Sequence, residues 1–504
     1  MDTIISLDLG TTALKTALLD NRGRVLSHAT NEYALQTPDA LSVEVDVETY
    51  WQAFKSGLAS VLAESKADVT RIRALGLSAQ GETLILTDRG GHALRPAIVW
   101  LDNRAQQEAE ELSAHFGNDK AFAITGQVSI VPTWPASKIL WVKRHERDVF
   151  ERTARFLLIE DYFIHRLTGH FVCEGSLITS TVYWDINTKT WWPEMLDYLG
   201  VSEARLPEIR ESGEAVGPIL PDVAAELGLA PETVVCTGAL DQAAGAIGVG
   251  NIAPGIFSEN TGAALAICAT VPRPTFDPGG QMPCHYHGIP NMYMEHTFTS
   301  GGMVLRWFRD AFCQPEIAEA RSLGVDSYDL LGRQASAIPP GCEGLVMLPH
   351  LQGAMAPEAN PKAKGVFYGF TLRHGKAHYV RSIMEAIACI IRRNIDVLEG
   401  MGIAVTEIRS LGGGARSRVW NQIKADLTGL PLVTTENEEA ACLGAGILAG
   451  KAVGMFPSIE RAVGEMVVLK ERFEPNSDNA SVYASTYARY CDLYEDLRGL
   501  FEKD

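Results

Sequence analysis

The stretch I-I-S-L-D-L-G-T-T-A-L-K-T-A-L-L at residues 4–19 is an apolar strand, a tight polar turn and a second apolar strand. The turn gathers Asp8, Gly10, Thr11, Thr12 and Lys15 around one small space. Gly10 lets the backbone approach closely, and the turn's N–H groups with the two hydroxyls can hydrogen-bond phosphate oxygens. Asp8, at the end of an apolar strand, is costly to bury without a positive partner, and a hydrated Mg²⁺ would serve. The same residues also suit an ordinary hairpin whose Asp and Thr side chains satisfy the turn. The rest of the chain has to separate the two readings.

At 504 residues the chain is too long for one core, and two domains of roughly 250 residues each are expected. Hydrophobic and charged contents of 46% and 21% are those of a globular protein. A formal charge of −18 argues against non-specific nucleic-acid binding, which needs basic surface. No run is long enough to span a membrane, and the N-terminus enters a strand at once without a signal peptide. The nine cysteines are scattered without a C-x-x-C pair, the pattern of buried free thiols in a reducing cytoplasm.

Strands are expected over 4–9, 14–19 and 24–30, and a helix over 47–65 with Trp51, Phe54, Leu58 and Leu62 on one face. A buried strand over 72–78 and another over 83–87 follow, with helices over 104–116 and 136–146. The segment from 232 echoes the N-terminus: strand Val234–Gly238, then an acid, Asp241, then a helix of small residues. I-F-S-E-N-T-G-A-A-L-A-I at 256–267 is again strand, polar turn and strand, with Thr261 and Gly262 in the turn. Two halves that each open on such a hairpin imply a duplicated α/β architecture with a cleft between. The boundary is placed within 244–254, giving 1–246 and 247–504. Later, strand 408–411 runs into Gly412, Gly413, Gly414 and Ala415, a place where a flat ring or phosphate can meet backbone. The small residues at 440–446 suit close helix packing, and the Tyr483–Leu497 stripe reads as core.

Six segments together resemble the FGGY family of carbohydrate kinases. They are D-L-G-T-T-A-L-K (8–15), P-A-S-K-I-L-W-V-K-R-H (135–145), G-A-L-D-Q-A-A-G-A-I-G-V-G (238–250), S-G-G-M-V-L-R-W-F-R-D (300–310), K-G-V-F-Y-G-F (364–370) and G-G-G-A-R-S (412–417). They stand in the family's order and cover almost the whole chain. The resemblance implies two RNase H-like domains of the actin/hexokinase/Hsp70 ATPase fold, with ATP and Mg²⁺ in the interdomain cleft. It implies that Asp8 holds the metal through water and that Gly10, Thr11, Thr12 and Lys15 cradle phosphates. Thr261 and Gly262 would supply the second hairpin. Gly412, Gly413, Gly414 and Ala415 would face adenosine, with Asn421 or Gln422 near the adenine. Asp241 would be the catalytic base, because phosphorylating a hydroxyl requires its proton to be removed. Asp241 also stands where a helix N-cap belongs.

The acceptor is expected to meet Gln80, Gly81, Glu82, Trp100, Trp134, Asp241 and Gln242. Xylulose kinases usually carry Met-His where this chain has Gly81-Glu82, and glycerol kinases carry Arg-Glu. L-R-P-A-I-V-W-L-D-N-R at 94–104 resembles the xylulose kinase segment, whereas Trp134 lies where glycerol kinases have an aromatic wall. Asn260 in the second turn, where the family has Gly, is expected to tolerate positive φ. The expected activity is ATP-dependent phosphorylation of a small sugar, a pentulose such as D-xylulose, by a cytoplasmic enzyme with no nucleic-acid or membrane partner. A glycerol- or tetritol-type polyol kinase is the alternative within the class, and an actin- or Hsp70-like ATPase without acceptor is the alternative outside it. A sugar sensor without catalysis is weaker still, since both hairpins and the base are present. The resemblance makes a homodimer reasonable, although no stretch identifies an interface.

Overall fold

In the computed structural model, which describes residues 1–503, the opening stretch forms antiparallel strands Thr3–Leu9 and Ala13–Asp20. Their alternating Ile, Leu and Ala side chains are almost wholly buried, which fixes the register, since a one-residue slip would turn the apolar set outward. The Val47–Ser65 helix covers this sheet with Tyr50, Trp51, Phe54, Leu58 and Val61. Burying each such side chain stabilises by about 1.5–3 kcal/mol. The helix starts where Asp46 accepts from the Glu48 N–H and stops at Lys66 in a left-handed conformation.

The two halves repeat one topology. In the first, strands run Ala215–Pro218, Val234–Cys236, Ile72–Ala79, Thr3–Leu9, Ala13–Asp20 and Val25–Glu32 across the sheet. In the second they run Leu469–Phe473, Leu432–Thr435, Glu407–Leu411, Ile256–Thr261, Ala264–Val271 and Tyr293–Ser300, with Cys284–Tyr286 at the far edge. Both sequences of pairings are antiparallel, parallel, parallel, antiparallel, antiparallel. The duplication expected from the two hairpins is therefore present strand by strand.

Each half sends a helix to the middle of the molecule after the second strand of this order: Asp241–Gly248 follows Val234–Cys236 in the first, and Ala440–Ala452 follows Leu432–Thr435 in the second. They cross at backbone contact. A Cβ added to Gly248 would overlap the Ala440 carbonyl oxygen, and one added to Gly444 would overlap that of Ala244. Gly76 meets the Ala445 carbonyl in the same way. Close packing is thus the reason for the small residues at 440–446, as expected. The Ala440–Ala452 helix also lies on the first sheet, where the Ser6 hydroxyl donates to the Cys442 carbonyl. The core of the first half accordingly takes in Leu443, Ile447, Leu448 and Met466 from the far end of the chain.

All nine cysteines are free thiols, and all but Cys491 are buried. Tyr483, Tyr490 and Tyr494 pack into the second core. Among the described residues no helix is long and apolar enough to cross a membrane.

Candidate active site

The first hairpin sets Asp8 opposite Lys15 on one neighbour and Ser78 on the other. The Ser78 hydroxyl donates to Asp8 Oδ1 at 3.0 Å. Burial raises the Asp8 carboxyl above its ordinary 3.8, against the pull of Lys15 and Ser78. Lys15 Nζ lies 2.7 Å from Glu439 Oε2, on the helix-entry loop of the other half. Burial acts to lower the Lys15 pKa, but the Glu439 hydrogen bond and the Asp8 charge outweigh it and hold it above 10.5. Gly10 donates to the Ala13 carbonyl at 3.1 Å, and its own carbonyl accepts the Tyr33 hydroxyl. A Cβ there would lie 2.8 Å from the Ala13 oxygen, so the turn requires glycine. Thr12 is exposed. The Thr11 hydroxyl accepts the Trp100 indole N–H at 2.7 Å, which ties the expected acceptor wall directly to the expected phosphate turn.

The loop after Ile72–Ala79 closes with the Thr83 N–H on the Gly81 carbonyl at 2.7 Å. Glu82, at its apex, has φ +55°, a conformation strained for a side chain with a Cβ. Lys138, from the Pro135–His145 helix, holds it there: Nζ donates to the Glu82 carbonyl at 2.9 Å and to the Val99 carbonyl at 3.0 Å. Lys138 is fully buried, and desolvation pulls its pKa down to about 7. The Glu82 carboxylate accepts the Ser180 hydroxyl, and burial raises its pKa. Gln80 is buried with neither amide atom hydrogen-bonded. Trp134 donates to the Ser129 carbonyl at 2.8 Å and packs against the first core, so its polar edge is spent within its own loop.

Asp241 joins these two groups. The two-residue strand Ala239–Leu240 pairs with Ser78 and Ala79, setting Asp241 beside both the phosphate hairpin and the acceptor loop. Burial, then the Asp8 charge, and further on the Glu82 charge, push its pKa up to about 7. The helix makes no side-chain capping bond, and Leu240 is the residue that precedes it. The N-cap expected at Asp241 is not formed, because Asp241 is already the first helical residue. Gln242 is half-buried beside it, and its carbonyl is 3.9 Å from the Cys268 thiol.

In the second hairpin Thr261 is buried and committed. Its hydroxyl donates to Glu259 Oε2 at 2.5 Å and accepts from Lys424 Nζ at 3.0 Å. Lys424 and Glu259 form a fully buried ion pair at 2.7 Å, joined by the Ser410 hydroxyl. Gly262 donates to the Ala264 carbonyl and accepts from the Gly302 N–H, each at 2.9 Å. The positive φ expected at Asn260 is absent: the residue is extended and pairs with Ala266, since the chain reverses beyond it at residues 262–263. Asn260 instead presses on Gly412, whose φ is +77° and whose added Cβ would overlap Oδ1. A Cβ on Gly414 would sit 2.6 Å from that of Thr261, whereas Gly413 faces open space. The Gly412–Ala415 turn therefore packs on the second hairpin and borders a cavity of about 270 Å³ lined by Ser410, Leu411, Arg416, Arg418, Thr434, Thr435, Asn437 and Glu438 among others.

Asn421 and Gln422 both donate hydrogen bonds within the protein. Asn421 is buried and donates to the Ala415 carbonyl at 2.7 Å, bracing the turn from beneath. Gln422 donates to Asp426 at 2.6 Å and to the Glu474 carbonyl at 2.9 Å. Sequence reasoning missed Ser180, Glu439, the Glu259–Lys424 pair and what Lys138 does. Lys138 alone carried a signal, as a lysine on a helix face whose Ala136, Ile139, Leu140 and Val142 are buried.

The FGGY N-terminal domain model matches residues 3–248 and the FGGY C-terminal domain model residues 263–453. A xylulose kinase of Bacillus subtilis is 31% identical over 501 residues, covering 99% of this chain and 98% of its own. A gluconokinase of the same organism is 30% identical over 491 residues, covering 97% and 95%. A ligand-bound xylulose kinase from Lactobacillus acidophilus superposes with TM-score 0.90 at 26% identity, over the full length of both chains. The repeated α/β topology is thus the ribonuclease H-like, actin-like ATPase fold of these kinases. The chain is an enzyme, a sugar phosphotransferase, and belongs to the FGGY family of carbohydrate kinases.

Proposed function

We propose that this kinase transfers the γ-phosphoryl group of ATP to a hydroxyl of a neutral pentulose, with D-xylulose the named acceptor, and that Asp241 is its base. The observation that carries the reading is the position of Asp241, whose carboxyl is acted on by both Asp8 and Glu82. A hydroxyl held at Glu82 and Trp100 lies between the acceptor loop and the phosphate hairpin. Asp241 accepts its proton as the oxygen attacks, and a pKa of about 7 suits a base working near neutrality. Gln242 and Gln80 supply further hydroxyl contacts. Thr12, Gly10 and Lys15 face the phosphates from one side, and the hairpin at Thr261 and Gly262 faces them from the other. Gly413, with its neighbours Gly412, Gly414 and Ala415, borders the nucleoside. Asn421 acts on it only through the turn, and Trp134 acts on the acceptor only by shaping the wall.

Two facing carboxylates, Asp8 and Asp241, repel one another, and oxygen donors of this kind suit a hard divalent cation that keeps most of its water. Asp8 would meet an Mg²⁺ ion arriving with the nucleotide. When bound, such an ion neutralises phosphate charge. Halves 1–246 and 247–504 would close on the substrates and exclude water before transfer.

Electrostatics favour a neutral acceptor over an aldonate. Glu82, Asp241 and Asp8 bring three carboxyls to the site, while the two lysines acting on them are committed, Lys15 to Glu439 and Lys138 to two carbonyls. A sugar acid would add a further carboxylate beside these three, and both lysines that act on them already have partners. ADP release measured with Mg-ATP across polyols, tetruloses, pentuloses, hexuloses and aldonates tests this. A strong response to a pentulose supports the reading, and a response to gluconate alone would overturn the choice of acceptor.

A further inference from the structure

Four buried side chains outside the site are linked to the backbone that leads into Asp241, two of them by direct hydrogen bonds. Glu174 caps the short Gly175–Ile178 helix, with Oε2 accepting the Ser176 N–H and Oε1 the Leu177 N–H, each at 2.7 Å. Ser212 Oγ donates to Oε2 at 2.7 Å and Ser176 Oγ to Oε1 at 2.8 Å. Ser176 Oγ then accepts the Leu240 N–H at 2.9 Å, one residue before Asp241. From the next element, Glu160 Oε1 accepts the Gly238 N–H at 2.8 Å. Glu160, Glu174, Ser176 and Ser212 are all at most 1% exposed.

Burying carboxylates this close together is unfavourable unless their hydrogen bonds compensate. Glu174 accepts four such bonds, and its oxygens are thereby fixed in direction. The Ser176 hydroxyl donates its single proton to Glu174, which leaves its lone pairs to accept the Leu240 N–H. We infer that Glu174 and Ser176 are positioning residues for the transfer reaction, holding the 238–240 backbone so that Asp241 meets the acceptor hydroxyl. This rests on Asp241 being the base. The Ala239–Leu240 pairing with Ser78 and Ala79 fixes one side of that backbone, and the Ser176 bond fixes the other. A general base misplaced by about 1 Å loses on the order of 10²-fold in rate.

The test is a double-mutant cycle on the full chain, using Ser176→Ala and Asp241→Asn singly and together, with acceptor-dependent ADP release as readout. Ser176→Ala is expected to lower kcat about 10–100-fold with KM for ATP unchanged. In the Asp241→Asn background it is expected to change kcat less than about 2-fold, because no base remains to misplace. Equal losses in both backgrounds would overturn the inference and make Ser176 a structural residue. Full turnover in Asp241→Asn alone would instead overturn the base assignment, and the positioning role with it. Should Ser176→Ala fail to fold, Ser212→Ala at the outer end of the same chain is expected to repeat the pattern at about 3–10-fold. An unchanged kcat there would count against the network.

Discussion

Replacing Asp241 by Asn should stabilise the protein while it abolishes turnover. The Asp241 carboxyl is raised from 3.8 to about 7 in the folded chain, so the folded state holds the proton more tightly than the unfolded one. The stability tied to that proton is fully present below about pH 4 and is lost as pH rises through about 7. The shift of about three units converts, at roughly 1.4 kcal/mol per unit, to a ceiling of about 4 kcal/mol at pH 8. The carboxyl is partly accessible, and solvent screening brings the expected gain to about 1–2 kcal/mol. For a cooperative unit of about 150–250 residues that is a rise in Tm of about 2–8 °C. Thermal unfolding without nucleotide or metal, at pH 5 and pH 8, reads this directly. Asn should exceed the wild type most at pH 8 and by less than half as much at pH 5. A lower Tm for Asn at pH 8, or one difference at both pH values, would refute the reasoning.

The remaining predictions use the same geometry. In wild type, kcat/KM should rise tenfold per pH unit below about 7 and level off above it, as deprotonation of Asp241 requires; a flat profile from pH 5 to 8 would contradict the base. Glu82→Gly should leave Tm within about 2 °C, since relief of the +55° φ offsets the added freedom of the unfolded chain, yet raise the acceptor KM at least about 10-fold. Gly444→Ala should cost about 2–3 kcal/mol or more, and lower kcat as well, because its Cβ has no space against the Ala244 carbonyl on the helix that begins with Asp241. Gly464→Ala, on an exposed helix face with nothing within 4 Å, should instead gain about 0.5–1 kcal/mol, both changes being read by denaturant unfolding.

What the sequence disclosed was local and periodic. The first hairpin, the Val47–Ser65 helix and the strand running into Gly412 declare themselves through runs of apolar residues bounded by Gly, Asp or Thr. The echo between 4–19 and 256–267 was enough to anticipate a repeated topology. What stayed hidden depends on partners far away in the chain. Lys15 meets Glu439 across 424 positions, and Glu259 meets Lys424 across 165. No local pattern marks either pair. Thr261 is expected in the second phosphate hairpin, and the hydrogen bonds of its hydroxyl to Glu259 and Lys424 have no local signal. Asn260, standing where the family has a glycine, is expected in the turn, yet it lies in the strand before it. Its position is set instead by Gly412, which yields the space. Trp100 was placed at the acceptor by resemblance, and only the structure connects its indole to Thr11.

The most direct test of the central claim is a single-turnover reaction with ATP labelled at the γ-phosphorus, Mg²⁺ and D-xylulose, in wild type and Asp241→Asn. The account predicts label in a sugar phosphate for the wild type and almost none for the variant. Label released as inorganic phosphate at the same rate with and without sugar would contradict it, and would make the protein an ATPase with no acceptor.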